Sequence, residues 1–465
     1  MSLKEDLLKN KLPVEFVNNM KCILKGDRLE SFLNSFNEYP TSGIIINKNK
    51  INNNILNDLS NLLELEQIDK FTYKINNIDY ISKIEKIGKS IYHHAGCFYV
   101  SEPSAMKVIP LLNIKEDDKV LDLCAAPGGK SIQSLMYLDK NKGGVLFSNE
   151  IITSRCKILS SNIERISATN VVILNLDPKD IADSYEEFFD KVIVDAPCSG
   201  EGMFRKSEIA INEWSIENVN YCSIRQKEIL NNAFKCLKLG GTLLYSTCTF
   251  EEKEDEEIKN YILQTGNYEL IYEEKIFTSE NGEGQYFATF RKINNEVDSS
   301  NSLKFKSKKD VLQPAHKKLY AKFEEDYLYK SLINDDSFIT SVDDNLYLIN
   351  KNINDLINSK IYKNGIFLGS IGRSEFIPSH ALSHYIDIDN YKNKLDLSSN
   401  TKLVEDYLMG MEIIINNDDL EYNQNINKGY ILLCYNNVAI GFGKAVISDR
   451  KIVIKNHYPK GLRNL

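Results

Sequence analysis

Two cysteines stand where a thiol could act as a nucleophile. Cys198 follows Asp195-Ala196-Pro197 and Cys248 follows Ser246-Thr247, each directly after an apolar run with strand character. A cysteine within a strand is ordinarily a small buried hydrophobe, and that reading is kept for Cys22, Cys97, Cys156, Cys222, Cys236 and Cys434. On a loop at a strand end, a thiolate can instead meet a substrate and form a covalent intermediate. A third loop, Cys124-Ala125-Ala126-Pro127-Gly128-Gly129-Lys130, joins an apolar strand to a helix. Its glycines let the backbone approach a ligand closely, and the helix N-terminus offers free N–H donors. The sequence contains neither GxGxxG nor GxxxxGK[ST], which argues against NAD and ATP. Acidic residues then recur at strand ends. Glu150 stands about twenty residues past the glycine turn, the place of a carboxylate that accepts ribose hydroxyls. Asp177 follows the next strand and could meet an adenine amino group, and Asp195 ends the fourth. A single such acid is usually a helix cap; three in series favour a nucleoside ligand.

These loops need a rigid frame, and the pattern between Lys119 and Phe250 supplies one. Strands are expected at Val120–Cys124, Gly144–Asn149, Val171–Leu174, Lys191–Ala196 and Thr242–Ser246. Helices are expected at Lys130–Leu138, Thr153–Ile166, Ile216–Leu237 and Glu251–Gln264, the last opened by acids that suit its dipole. Tyr268–Tyr272 and Gln285–Arg291 read as final antiparallel or edge strands. Alternating apolar strands and amphipathic helices specify a doubly wound, mostly parallel α/β sheet, whose ligands bind at the carboxyl ends of the strands. Before it, residues 1–48 read as helical, with Pro13 near a helix start and Phe16, Met20, Ile23 and Leu24 on one face. Gly43–Asn47 reads as a strand, residues 49–80 as a small α+β unit, and Ser101/Ser104 as N-cap residues of a helix. Residues 293–310 and 396–401 read as linkers, and short β-like runs from Met411 onward as a β-rich module.

Three blocks, CAAPGGK (Cys124–Lys130), DAPCSGEGMFRK (Asp195–Lys206) and STCTF (Ser246–Phe250), resemble the Sun/Nop family of RNA cytosine-C5 methyltransferases. They are most similar to the bacterial branch that modifies small-subunit ribosomal RNA. The likeness continues through YVSEPSAM (Tyr99–Met106), SRCKILSSNIERI (Ser154–Ile166) and HYPKGLR (His457–Arg463). It implies a class I S-adenosylmethionine-dependent methyltransferase fold with a small N-terminal α+β domain and a C-terminal PUA-like module. The implied division is 1–90 contacting RNA, 91–295 catalytic, 296–400 a basic linker and intermediate domain, and 401–465 the PUA-like part. It implies S-adenosylmethionine on Cys124, Ala125, Ala126, Pro127, Gly128, Gly129, Lys130, Glu150, Arg155, Asp177 and Asp195. Cys248 would be the nucleophile, Cys198 would assist product release, and Asp195 would stabilise the base. Three positions depart from the family pattern: Thr41-Ser42-Gly43 replaces an Arg before the first strand, Phe277-Thr278-Ser279 replaces Trp-Pro-His, and Gln285 replaces a His.

The residue types suit that chemistry. Cytosine C5 is a poor nucleophile until a thiolate adds to C6, and the base must be single-stranded or flipped out to be reached. A DNA cytosine-C5 methyltransferase would carry its nucleophile after a Pro in the middle block; two cysteines favour RNA. An RNA-binding assembly protein without activity would not need the donor loop, the acids and both thiols. Net charge is −8 over 465 residues, so RNA must meet local patches. Lys304–Lys322 holds seven lysines against one aspartate, and Lys444–Leu465 holds six basic residues against one. Arg205, Lys206, Lys308, Lys309, Lys317, Lys318, Lys460 and Arg463 are the expected RNA contacts. Tyr430, Tyr435, Phe442 and Tyr458 could stack on bases, with core packing the likelier use for most, and His93-His94 is read as structural. Ribosomal RNA or the small subunit is the expected partner, with a monomeric, cytoplasmic chain, no metal and no membrane segment.

Overall fold

The computed structural model describes residues 8–76, 87–280, 282–294, 312–416, 426–448 and 451–463. Helices Val14–Ile23 and Asp27–Ser35 open it, burying Phe16, Met20, Leu24 and Phe32 but only partly Ile23. Strands β1 (Gly43–Ile46), β2 (Leu65–Asp69), β3 (Thr72–Ile75) and β4 (Phe98–Ser101) then form an antiparallel sheet in the order β2-β3-β1-β4. The short helix Pro103–Met106 is capped by Glu102, not by Ser101 or Ser104. The Glu102 carboxylate accepts from the backbone N–H groups of Ser104 (2.9 Å) and Ala105 (2.8 Å) and takes the Ser104 hydroxyl as well.

The central sheet comprises β5 (Lys119–Asp122), β6 (Val145–Asn149), β7 (Val171–Leu174), β8 (Phe189–Asp195), β9 (Leu237–Thr247), β10 (Tyr268–Ile276) and β11 (Gln285–Lys292). Its order is β10-β11-β9-β8-β5-β6-β7, completed by β14 (Lys363–Asn364). Strands β9-β8-β5-β6-β7 run parallel, and β10, β11 and β14 join antiparallel. Residues on β6 and β7 are buried throughout, as parallel strands covered on both faces must be. The chain winds from β5 outward through β7, then returns to β8 on the other side of β5. That reversal is the switch point where such sheets bind ligands, and the loops after β5, β8 and β9 all emerge there.

Two further sheets complete the chain. Strands β12 (Ser337–Val342), β13 (Asn345–Asn350), β15 (Ile366–Ile371) and β16 (Phe376–Pro378) are antiparallel. This unit is stitched to the central sheet by β14 on β7 and by an ion pair of Lys363 with Glu164. The last sheet has the order β17-β19-β20-β21-β18, with β17 (Lys394–Asp396), β18 (Ile413–Asn416), β19 (Gly429–Tyr435), β20 (Val438–Ile447) and β21 (Lys451–Asn456). Since β17 pairs in parallel with β19, residues 396–401 lie inside this unit and are not a linker before it. Tyr430, Phe442 and Tyr458 are buried in it, and Tyr435 packs edge-on against Tyr92 at 5.7 Å, so all four serve packing. His94 is equally structural: its Nδ1 lies 2.5 Å from the Tyr458 hydroxyl, tying the last sheet to the N-terminal part.

Candidate active site

The strand ends bring both cysteines to one point. Cys198 Sγ and Cys248 Sγ are 3.4 Å apart although they come from different strands. Lacing between the two loops fixes that distance. Ala196 N–H donates to Ser246 O (2.8 Å), Gly202 N–H donates to Cys248 O (2.7 Å), and the Ser199 and Thr249 hydroxyls meet at 2.9 Å. A Cβ on Gly202 would lie 2.9–3.1 Å from the backbone oxygens of Gly284, Cys248 and Glu283, so only glycine lets these three loops converge. Both thiols are part-exposed, and contact with Cys248 together with burial pushes the Cys198 thiol well above its ordinary range.

Buried carboxylates hold the loops from behind, and these were not singled out from the sequence. The helix expected to open at Glu251 begins at Glu256. Glu251, Glu254 and Asp255 turn inward instead of capping it. Glu254 accepts from the Ser199 backbone N–H (3.1 Å), the Ser199 hydroxyl (2.5 Å) and Gln226 (2.8 Å), and burial raises it to about 7. Glu201 accepts from Trp214 Nε1 (2.8 Å) and the Phe250 N–H (2.7 Å), joining the two cysteine loops again. The N-terminal helices close over this assembly through aromatic edges. Phe16 meets Phe204 at 5.2 Å and Phe32 meets Phe250 at 5.2 Å. The only sequence signal for this support was the acidic run that directly follows the Cys248 block.

Two cavities meet at Cys248. One, of about 490 Å³, is lined by Cys124, Ala126, Glu150, Arg155, Asp177, Asp195, Cys198 and Cys248, among others. The second, of about 540 Å³, shares Cys124, Ala126, Arg155, Asp195 and Cys248. It adds Ala125, Pro127, Gly129, Lys130 and Lys206 from the expected set. Gly128 caps the helix Gly129–Tyr137 at φ +121°, a conformation that favours glycine. Glu150, nearly fully buried, accepts from the Ile152 N–H (2.9 Å) and pairs with Arg155 (3.2 Å), which also donates to Ala126 O (2.8 Å). Asp177 is exposed and caps the helix Pro178–Ser184. Asp195 pairs with Lys130 Nζ (2.8 Å) and accepts from the Ser246 hydroxyl (2.7 Å). A larger cavity, about 640 Å³, lies where the chain units meet at the amino ends of β6 and β7 and contains neither cysteine.

The expected RNA contacts fare unevenly. Arg205 is a correction: its side chain is 1% exposed and forms a two-point pair with Glu283 at 2.8 Å while donating to Ser35 O and Gly282 O. It therefore fastens the N-terminal helices to the turn before β11, buried out of reach of phosphate. Thr41, one of the departures from the family pattern, bonds the same Glu283 through its N–H and hydroxyl. Arg205→Ala should strand the Glu283 carboxylate and cost about 3–5 kcal/mol, read as a lowered denaturant midpoint. Lys206, Lys317, Lys318 and Lys460 are exposed. Arg463 is half-buried and donates to Tyr458 O at 3.4 Å. Lys308 and Lys309 lie outside the described residues.

Four family models match the chain. Residues 109–299 match 16S rRNA methyltransferase RsmB/F, and residues 12–103 the N-terminal domain of 16S rRNA methyltransferase RsmF. Residues 322–386 match the RsmF rRNA methyltransferase first C-terminal domain, and 392–464 the methyltransferase RsmF PUA domain. Among solved structures, PH0851 is 26% identical with a TM-score of 0.54, over 63% of this chain and 69% of that one. NSun6 from Pyrococcus horikoshii with SFG is 17% identical with a TM-score of 0.53, over 61% and 99%. The central sheet is accordingly the class I S-adenosylmethionine-dependent methyltransferase fold, and the C-terminal sheet lies in a PUA domain. The ribosomal RNA small subunit methyltransferase F of Vibrio vulnificus is 31% identical over 401 residues, 81% of each chain. On that match and the four family models, the chain belongs to the ribosomal RNA small subunit methyltransferase F family.

Proposed function

We propose that this chain transfers a methyl group from S-adenosylmethionine to C5 of a cytosine in small-subunit ribosomal RNA, in the cytoplasm, through a covalent adduct on Cys248. The observation that carries the reading is the pair of thiols 3.4 Å apart, with Cys248 on the wall shared by two cavities and Cys198 facing the first. Glu150, Arg155, Asp177 and the Cys124–Lys130 loop, which reaches the first cavity through Cys124 and Ala126, would hold the donor there, and the target base would enter the second. The fit rests on a buried Glu150 carboxylate fixed by Arg155 and on the glycine-bounded helix start at Gly128. The bound donor supplies an electrophilic sulfonium methyl.

The protein's residues do the rest. Cys248 adds to C6, so that C5 becomes enamine-like and nucleophilic. Asp195, oriented by Lys130 and Ser246, would accept from the exocyclic amine, and the Lys130 ammonium beside it would donate to N3 as charge develops. Cys198 then assists loss of the C5 proton and release from Cys248. The exposed Lys206, Lys317, Lys318 and Lys460 offer phosphate contacts.

The test is transfer of radiolabelled methyl from S-adenosylmethionine to purified small subunits and, in parallel, to their deproteinised RNA. Label should map to 5-methylcytosine in at least one sample. Donor binding without label in either sample would overturn the ribosomal reading.

A further inference from the structure

The second cavity contains a polar group that the chemistry above does not use. Gln285 lines it and is 3% exposed, and its Nε2 is buried without a hydrogen-bond partner. Buried amide donors are nearly always paired, so an orphan calls for a physical reason. Its position supplies one. β11 pairs antiparallel with β9, and the last matched pair is Tyr286 with Thr247. Gln285 and Cys248 are the residues that come next after that pair at the strand ends, and both line the cavity.

The backbone beneath Gln285 is fixed rather than adaptable. Glu283 is clamped by Arg205 and Thr41, and its N–H donates to Glu102 (3.0 Å). Gly284 adopts φ +113°, where a Cβ would strike the Phe250 ring at 2.3 Å. A buried ion pair, its hydrogen bonds and a close aromatic contact thus hold one unpaired amide at the cavity that Lys130, Asp195 and Cys248 also line. The terminal amide torsion is broad, so a small rotation turns Nε2 toward whatever fills that space.

We propose that Gln285 is a specificity-determining residue whose amide donates to an acceptor oxygen of the target nucleotide, cytosine O2 or the ribose 2′-oxygen. The inference rests on the cavity assignment under Proposed function. It gives the enzyme a contact on the sugar and C2 side of the base, whereas Asp195 and Lys130 serve the amine and N3 edge. A buried donor left without its partner is penalised, so a nucleotide seated out of register would be disfavoured.

The experiment compares wild type, Gln285→Met and Gln285→His with the methyl-accepting RNA. Methionine keeps length and apolar bulk without a donor; histidine restores one. Gln285→Met should lose about 10- to 100-fold in kcat/KM, with S-adenosylmethionine affinity and melting temperature unchanged, and Gln285→His should recover most of the loss. A Gln285→Met enzyme with wild-type kcat/KM would falsify the proposal, as would a loss matched by weaker donor binding. RNA carrying 2′-deoxycytidine at the target position identifies the acceptor. Wild type penalised to the level of Gln285→Met assigns the 2′-oxygen, and undiminished wild-type turnover assigns O2. A wild-type enzyme that methylates no cytosine rejects the functional reading itself, which separates that failure from failure of the inference.

Discussion

Cys248→Ala is expected to reduce methyl transfer by roughly 10⁴-fold or more, above about 5 kcal/mol in transition-state terms. The other thiols at the site are poor candidates to add to C6, because Cys198 is held protonated by its contact with Cys248 and by burial, and burial pushes the Cys124 thiol up as well. Binding of S-adenosylmethionine should survive, since the residues facing its cavity from β5, β6 and β7 do not depend on the Cys248 side chain. The folded state should survive too. Cys248 is only part-buried, and the lacing at its loop runs through its backbone oxygen and through Thr249 and Phe250. The check is paired: calorimetric titration of the donor against the variant, and methyl incorporation under single-turnover conditions. Donor binding at wild-type strength with incorporation absent is the expected result. Retained incorporation would remove Cys248 from the nucleophile's role.

The parts of this site that were legible in the sequence are those whose chemistry is local. A strand, a glycine turn and a helix start are adjacent along the chain, so Cys124–Lys130 announced itself, as did the helix Thr153–Ile166, whose bounds agree to the residue. Glu150 and Asp195 were legible because parallel strands must end at one edge of the sheet. What escaped depends on long-range pairing. Nothing local marks Glu283 as the partner of Arg205, 78 residues away in sequence. Arg205 was consequently read as an RNA contact from charge alone. The run Glu251–Asp255 was read as helix-capping acids, since acids at a helix start are common. Burial of those side chains follows from partners elsewhere in the chain: Asn19 for Glu251, Ser199 and Gln226 for Glu254, and Thr247 and Lys275 for Asp255. The Ser101/Ser104 cap failed differently. The residue between them, Glu102, has the longer reach and two oxygens, and it takes both backbone donors.

Cys198→Ala should leave the first half of the reaction intact and block the second, so that protein covalently joined to RNA accumulates. The physical basis lies in what raises the Cys198 thiol. Its first cause is the hydrogen bond with Cys248 and its second is burial. While Cys248 is free, Cys198 stays protonated and can donate to the attacking sulfur. Once Cys248 has become a thioether in the adduct, that sulfur no longer carries charge and the first cause is removed. Cys198 can then ionise more readily, beside the carbon framework whose C5 proton must leave before the C6–S bond breaks. Alanine offers no such base, and Ser199 cannot substitute because its hydroxyl is committed to Glu254 and Thr249. On denaturing gels the variant should show an RNA-dependent slow band that requires both S-adenosylmethionine and Cys248. The same band should be absent in the Cys198→Ala/Cys248→Ala double variant. Cys198→Ala that turns over with no trapped species would mean another base, or water, resolves the adduct, and the 3.4 Å contact would then serve only to position Cys248.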